Sequence, residues 1–145
     1  MKLKFERATE QDVKGMIDLC NECFFEETDL HYAIKTFNNT KLDPNQIYIN
    51  GFWGNEVIAH AKITIIPTIY DKMGTYAIIN HFCVKEKYRR QHVATDLMTK
   101  AIEICSSMNC KRICLWSGNH RIAAHAFYKK FGFNLLETGF FAKEI

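Results

Sequence analysis

The sequence predicts one α/β domain spanning residues 1–145. Strand-like and helical periods alternate along the chain, and no Ser/Gly linker, repeat or low-complexity tract separates them. A chain of 145 residues is also long enough to bury a substantial core.

Lys4-Phe5-Glu6-Arg7 alternates as a first strand. Thr9 offers an N-cap with Asp12 three residues on, and Val13, Met16, Ile17, Cys20 and Phe24 repeat at helical spacing. Leu30, Ile34 and Phe37 predict a second short helix, closed by Asn38-Asn39, and Asp43-Pro44-Asn45 reads as a turn. Ile47 to Trp53 and Val57 to Ile66 are β-rich segments joined by Gly54-Asn55, a two-residue hairpin signal. Pro67 to Gly74 is a loop, and Tyr76 to Val84 is a long apolar strand. Val93, Leu97, Ala101, Ile104, Cys105 and Met108 mark the major helix. Arg112 to Trp116 reads as a buried strand, and Asn119 to Phe131 as a helix with Gly132 as its C′ residue. Leu135 and Phe140 to Ala142 are expected to add one or two closing strands.

The chain is 48% hydrophobic and 24% charged, ordinary for a globular protein. A net charge of +3, spread along the chain, argues against nucleic acid and leaves room for an anionic ligand. No apolar run approaches the roughly 20 residues of a spanning helix, and Met1-Lys2-Leu3-Lys4 starts no signal peptide. The expected location is cytoplasmic. Cys20 and Cys23 form a CxxC inside a helical pattern, with no second pair at zinc-knuckle spacing. With Cys83, Cys105, Cys110 and Cys114 they are expected to be buried free thiols rather than a metal or disulfide site.

Val84 to Leu97 says most about function. An apolar strand ends, a short basic turn follows, and an amphipathic helix begins. Such a junction can hold phosphates, because the first helical N–H groups are unpaired and the macrodipole is positive there. Arg89 and Arg90 add charge-assisted hydrogen bonds. The plain alternative is an exposed basic turn.

Arg89-Arg90-Gln91-His92-Val93-Ala94 resembles the Q/R-x-x-G-x-G/A signature of the GNAT superfamily of acetyl-CoA-dependent N-acetyltransferases. Arg89 and Ala94 fit, while His92 replaces the first glycine. Histidine is among the better non-glycine residues for an unusual backbone angle. Downstream, Ala124 to Phe133 is similar to the family's A-x-x-F-Y-x-x-x-G-F, with every fixed position occupied. The resemblance covers Ile78 to Ile145 well, and the N-terminal half through its order of elements. It implies a mixed, mostly antiparallel sheet flanked by about four helices.

It further implies acetyl-CoA as co-substrate, with no permanently bound cofactor and no metal. Phe82, Cys83 and Val84 on the strand, Arg89, Arg90, Gln91, His92, Val93, Ala94 and Thr95 in the turn, and Asn119, Tyr128 and Lys130 downstream are the implied contacts. Tyr128 is the implied general acid for the leaving thiolate, although taken alone it could equally be a core aromatic. In many members a carboxylate acting as base lies about eight residues before the signature's Q/R, and His81 stands there. Histidine titrates near neutrality and suits proton removal from an ammonium, directly or through water. A packed strand histidine is the plain alternative.

Asn109 to Gly132 looks like glucosamine-6-phosphate N-acetyltransferases, and the whole layout is also similar to aminoalkylphosphonate N-acetyltransferases. Both act on a small primary amine carrying phosphate or phosphonate, so such a substrate is the expected partner, with the amino sugar phosphate first. A peptide acetyltransferase and a non-catalytic acetyl-CoA-binding module stay open. Lys62, Tyr70 and Lys72 are candidates for the substrate phosphate. The apolar late residues Leu135, Leu136, Phe140 and Phe141 point to a homodimer.

Overall fold

The computed structural model describes residues 2–145. Two compact units result, Met1–Leu115 and Trp116–Ile145. The first holds a five-stranded sheet in the order β1-β2-β3-β4-β5: β1 Leu3–Arg7, β2 Gln46–Trp53, β3 Glu56–Ile66, β4 Tyr76–Val84 and β5 Arg112–Cys114. The first four run antiparallel to their neighbours, and β5 runs parallel to β4. Helix α3, Val93–Ser107, makes the crossover that a parallel pair requires.

Helix α1, Val13–Phe24, begins where the Asp12 carboxylate accepts the Thr9 N–H at 2.7 Å and its hydroxyl at 3.0 Å. Its apolar stripe, Met16, Leu19 and Cys20, packs with Phe52, Val57 and Cys83 of the sheet. Helix α2, Leu30–Thr40, is capped by Asp29, whose side chain accepts the Tyr32 N–H. It runs through Asn38 and Asn39 rather than stopping there, since Thr40 Oγ1 closes the last turn on the Thr36 carbonyl at 2.9 Å. Asp43 Oδ1 accepts the Asn45 N–H, which makes the expected turn. Gly54, at φ 61°, turns the β2–β3 hairpin.

The second unit departs from expectation. Its helix α4 is Ile122–Lys130, because residues 118–121 form a turn in which the Arg121 N–H bonds the Gly118 carbonyl. In the first unit β5 stops at Cys114 rather than Trp116, its ladder ending against Ile78, three residues before an irregularity in β4. No strand follows Gly132: residues 134–145 carry neither helix nor strand, since a strand needs a ladder partner for its N–H and C=O groups. No helix among the described residues is long and apolar enough to cross a membrane. Cys20, Cys83 and Cys105 are buried free thiols as expected, whereas Cys23, Cys110 and Cys114 are only half-buried.

Candidate active site

Strand β4 pairs Cys83 with His60 and Asn80 with Lys62, so His81 and Phe82 together oppose Ala61. That two-against-one count is a β-bulge, and His81 takes the left-handed φ of 52°. Bulges bend a strand and re-aim its side chains. Here the His81 ring meets residues from the end of α1: Nε2 lies 2.9 Å from Glu26 Oε1, and the Phe24 ring stands edge-on at 5.1 Å. Nδ1 lies 2.9 Å from Asn80 Nδ2, a group that can only donate. Nδ1 is therefore the acceptor, and Nε2–H donates to the Glu26 carboxylate. Both ring nitrogens are engaged, so further proton acceptance by the pair falls to the Glu26 carboxylate.

His60, on β3, is different in kind. It is buried, and its Nδ1–H donates to Asn50 Oδ1 at 2.8 Å. Burial first, then the nearby His81 charge, push its pKa down to about 3 against the pull of the Ile49 carbonyl. His60 is a neutral packing residue.

At the end of β4 a 3₁₀ turn, Glu86–Tyr88, leads to α3. Glu56 braces it: its carboxylate accepts from Lys85 Nζ at 2.6 Å and from Tyr88 Oη at 3.2 Å. The Lys85 ammonium, opposed by slight burial, holds the Glu56 carboxyl below the usual carboxylate range. Arg90 and His92 are both left-handed, at φ 59° and 65°, so the position where the family signature has glycine does demand a glycine-like backbone. No side chain caps α3 at His92, and the N–H groups of Val93, Ala94 and Thr95 point out of the helix without intrahelical acceptors. Left-handed residues ahead of an uncapped helix form a concavity of N–H donors suited to an anion such as a pyrophosphate.

The arginines divide the labour. Arg89 Nε donates to the Val84 carbonyl at 3.0 Å and its Nη2 reaches Cys23 Sγ at 3.7 Å, so this guanidinium is tied to the strand end. Arg90 stays exposed. Gln91 Nε2 donates to the Lys87 carbonyl. Phe82, Cys83 and Val84 thus lie between the bulge and this turn, within the first unit.

In the second unit, Tyr128 is 9% exposed on α4, its ring 5.7 Å from Phe127 and 6.0 Å from Phe133. The Gly132 N–H bonds the Lys129 carbonyl and the Phe133 N–H bonds that of Tyr128, each at 3.0 Å. With Gly132 at φ 91°, this is a Schellman cap, and Phe133 against Tyr128 is its apolar contact. The glycine and phenylalanine that end the helix signature therefore fix the turn carrying Tyr128. Asn119 and Lys130 are exposed in this unit.

Of the phosphate candidates, Lys62 is half-buried, its ammonium bonded to Gln46 Oε1 at 2.5 Å and Thr64 Oγ1 at 2.8 Å. Burial lowers its pKa. Tyr70 and Lys72 stand exposed on the loop. Sequence reasoning missed Glu26, which lies 55 residues from His81 and is joined to it by the fold alone. It also missed Glu56, 29 residues from Lys85.

Solved structures share this fold. A transcriptional regulator from Bacillus halodurans C-125 aligns with TM-score 0.90 at 22% identity, covering 99% of this chain and 100% of that one. Glucosamine-6-phosphate N-acetyltransferase from Arabidopsis thaliana aligns with TM-score 0.85 at 14% identity, covering 99% of each. A Clostridium acetobutylicum protein described as an acetyltransferase with acetyl-CoA aligns with TM-score 0.81 at 19% identity, covering 98% of this chain and 96% of that one. At these identities the likeness establishes the fold. The sequence itself goes further, since a model of the acetyltransferase (GNAT) family matches residues 13–133 and so takes in the bulge, the basic turn before α3 and the capped helix of Tyr128. The chain belongs to the acetyltransferase (GNAT) family, enzymes that use acetyl-CoA as co-substrate.

Proposed function

We propose that this acetyltransferase acts as one domain over residues 1–145 and acetylates directly the primary amine of a small phosphorylated substrate, with glucosamine 6-phosphate first. The observation that carries the reading is the His81–Glu26 pair in the β4 bulge, 2.9 Å apart. An amine attacks a thioester only when unprotonated, and for a lysine-like amine about one molecule in a thousand is neutral at pH 7, a barrier of about 4 kcal/mol. A sugar amine is less basic and suits a mild base. His81 and Glu26 accept the ammonium proton as a unit, the carboxylate receiving it at Oε2 while the His81 N–H holds Oε1. The amine then forms the C–N bond, a backbone N–H of Phe82 to Val84 steadies the oxyanion, and the C–S bond breaks. Tyr128 gives its proton to the departing thiolate.

The turn from Arg89 to Thr95 receives the pyrophosphate of acetyl-CoA; in the second unit Asn119, Tyr128 and Lys130 are assigned acetyl-CoA contacts from the family resemblance. Lys62, bonded to the neutral oxygens of Gln46 and Thr64, is assigned to the substrate phosphate. Leu135, Leu136, Phe140 and Phe141, 57% to 95% exposed, are the surface for a homodimer, and a monomeric mass by light scattering at micromolar concentration would remove that assignment. Free thiols fit a reducing cytosol as the location.

A thiol-release assay across glucosamine 6-phosphate, glucosamine, aminoethylphosphonate and a lysine peptide tests the substrate. Turnover is expected to be highest with glucosamine 6-phosphate, and Lys62→Met should raise KM for the phosphorylated and phosphonate amines but not for glucosamine or the peptide. Equal turnover of glucosamine and its phosphate would sink the phosphorylated-substrate reading. Preference for the phosphonate or the peptide would move the assignment to that amine, and no thiol release with any of them would favour a binding module.

A further inference from the structure

The Cys20-x-x-Cys23 pair, unused by acetyl transfer, acquires a third thiol from the fold. Cys20 and Cys23 sit one turn apart on α1, and Cys83 of β4 lies in the same packed cluster, with Cys20 in it and Cys23 against it. We propose that Cys23 is an oxidisable modification site, reactive toward hydroperoxides, and that Cys83 resolves it as a disulfide tying α1 to β4.

Three features separate Cys23 from Cys20 and Cys83, the two cysteines it packs with. It is half-buried, whereas Cys20 and Cys83 are buried, so an oxidant meets Cys23 first. The Arg89 guanidinium reaches its sulfur at 3.7 Å and stabilises a thiolate there. The neighbouring Cys83 thiol, with Arg89, outweighs burial and brings its pKa down to about 7. Cys83 is driven the opposite way by Cys20 and Cys23 beside it and by its own burial, and keeps its proton. One sulfur is set to attack and its neighbour to resolve. At Cys105, by contrast, burial and Cys110 push the thiol up to about 12.

The chemistry balances with a hydroperoxide as oxidant. The Cys23 thiolate attacks the peroxide, an S–O bond forms, the O–O bond breaks, and the departing oxygen leaves protonated. The Cys83 sulfur then attacks the sulfenic acid, the S–S bond forms, the S–O bond breaks, and water carries away the Cys83 proton. Peroxide is the electron acceptor and the two thiols are oxidised.

Hydrogen peroxide treatment of the full chain, followed by non-reducing peptide mass mapping, tests this. The expected product is a Cys23–Cys83 peptide pair lacking two hydrogens, reversed by dithiothreitol. In Cys83→Ser, dimedone should instead trap a sulfenic acid at Cys23. Should that variant fold poorly, the wild type treated with peroxide and dimedone together gives the same readout. Arg89→Gln should slow Cys23 oxidation several-fold. A Cys23 that stays reduced while Cys110 or Cys114 oxidises would overturn the proposal, as would a disulfide between Cys20 and Cys23.

Discussion

His81 Nε2 donates to Glu26 Oε1 at 2.9 Å, across the gap between a bulged strand and the end of the first helix. Neither residue owes its position to its sequence neighbours alone. The left-handed bulge turns the ring, Asn80 fixes its tautomer, and α1 delivers the carboxylate.

If the pair takes the amine proton, His81→Ala and Glu26→Gln should each lower kcat/KM by about 10²-fold. The double variant should lose little more than either single one, because the two act as a unit. Wild-type kcat/KM in both single variants would take the proton-accepting role away from the pair.

Arg89→Ala together with Arg90→Ala should weaken acetyl-CoA binding in calorimetry, and more at low salt than at high salt. Unchanged affinity at both salt concentrations would remove the pyrophosphate from this turn.

His92→Gly should stabilise the protein by about 0.5–1 kcal/mol, read as a higher urea midpoint, because a left-handed non-glycine residue is strained. Acetyl-CoA affinity should hold or improve, since the N–H groups stay in place. A lower midpoint would mean that the imidazole itself supports the turn.

Tyr128→Phe should keep the ring packing against Phe127 and Phe133 and leave melting and acetyl-CoA affinity near wild type, while kcat drops by about 10²-fold. Wild-type turnover would make Tyr128 a packing residue.

His60 makes stability depend on pH. Its folded pKa of about 3 lies below the ordinary histidine value of 6.5, so the unfolded chain binds the proton first. Stability is full above pH 6.5 and falls, by up to ~1.4 kcal/mol per pH unit, as pH drops from there toward 3. Urea titrations of wild type and His60→Asn between pH 7 and 5 isolate this contribution: the slope should be steeper in wild type. Parallel slopes would falsify the buried neutral ring.

The sequence by itself determined the strand and helix order, because apolar period and turn chemistry are local properties. The Gly54 hairpin, the Asp43 turn, the β4 span and the Gly132 cap all follow from a few adjacent residues. So does His92, whose place in the signature already demands a left-handed backbone. Local pattern failed after Gly132, where apolar residues read as strands but carry none, because a strand exists only when another supplies its hydrogen bonds. Tertiary structure alone decided the chemistry around His81. A bulge arises from the register between two strands, and Glu26 is brought in from 55 residues away. The same packing turned the CxxC, which the sequence marks as free thiols, into a thiol cluster, since Cys83 and Arg89 meet Cys23 only once α1 lies on β4. Residue types announce what chemistry is available; only long-range packing sets which groups meet.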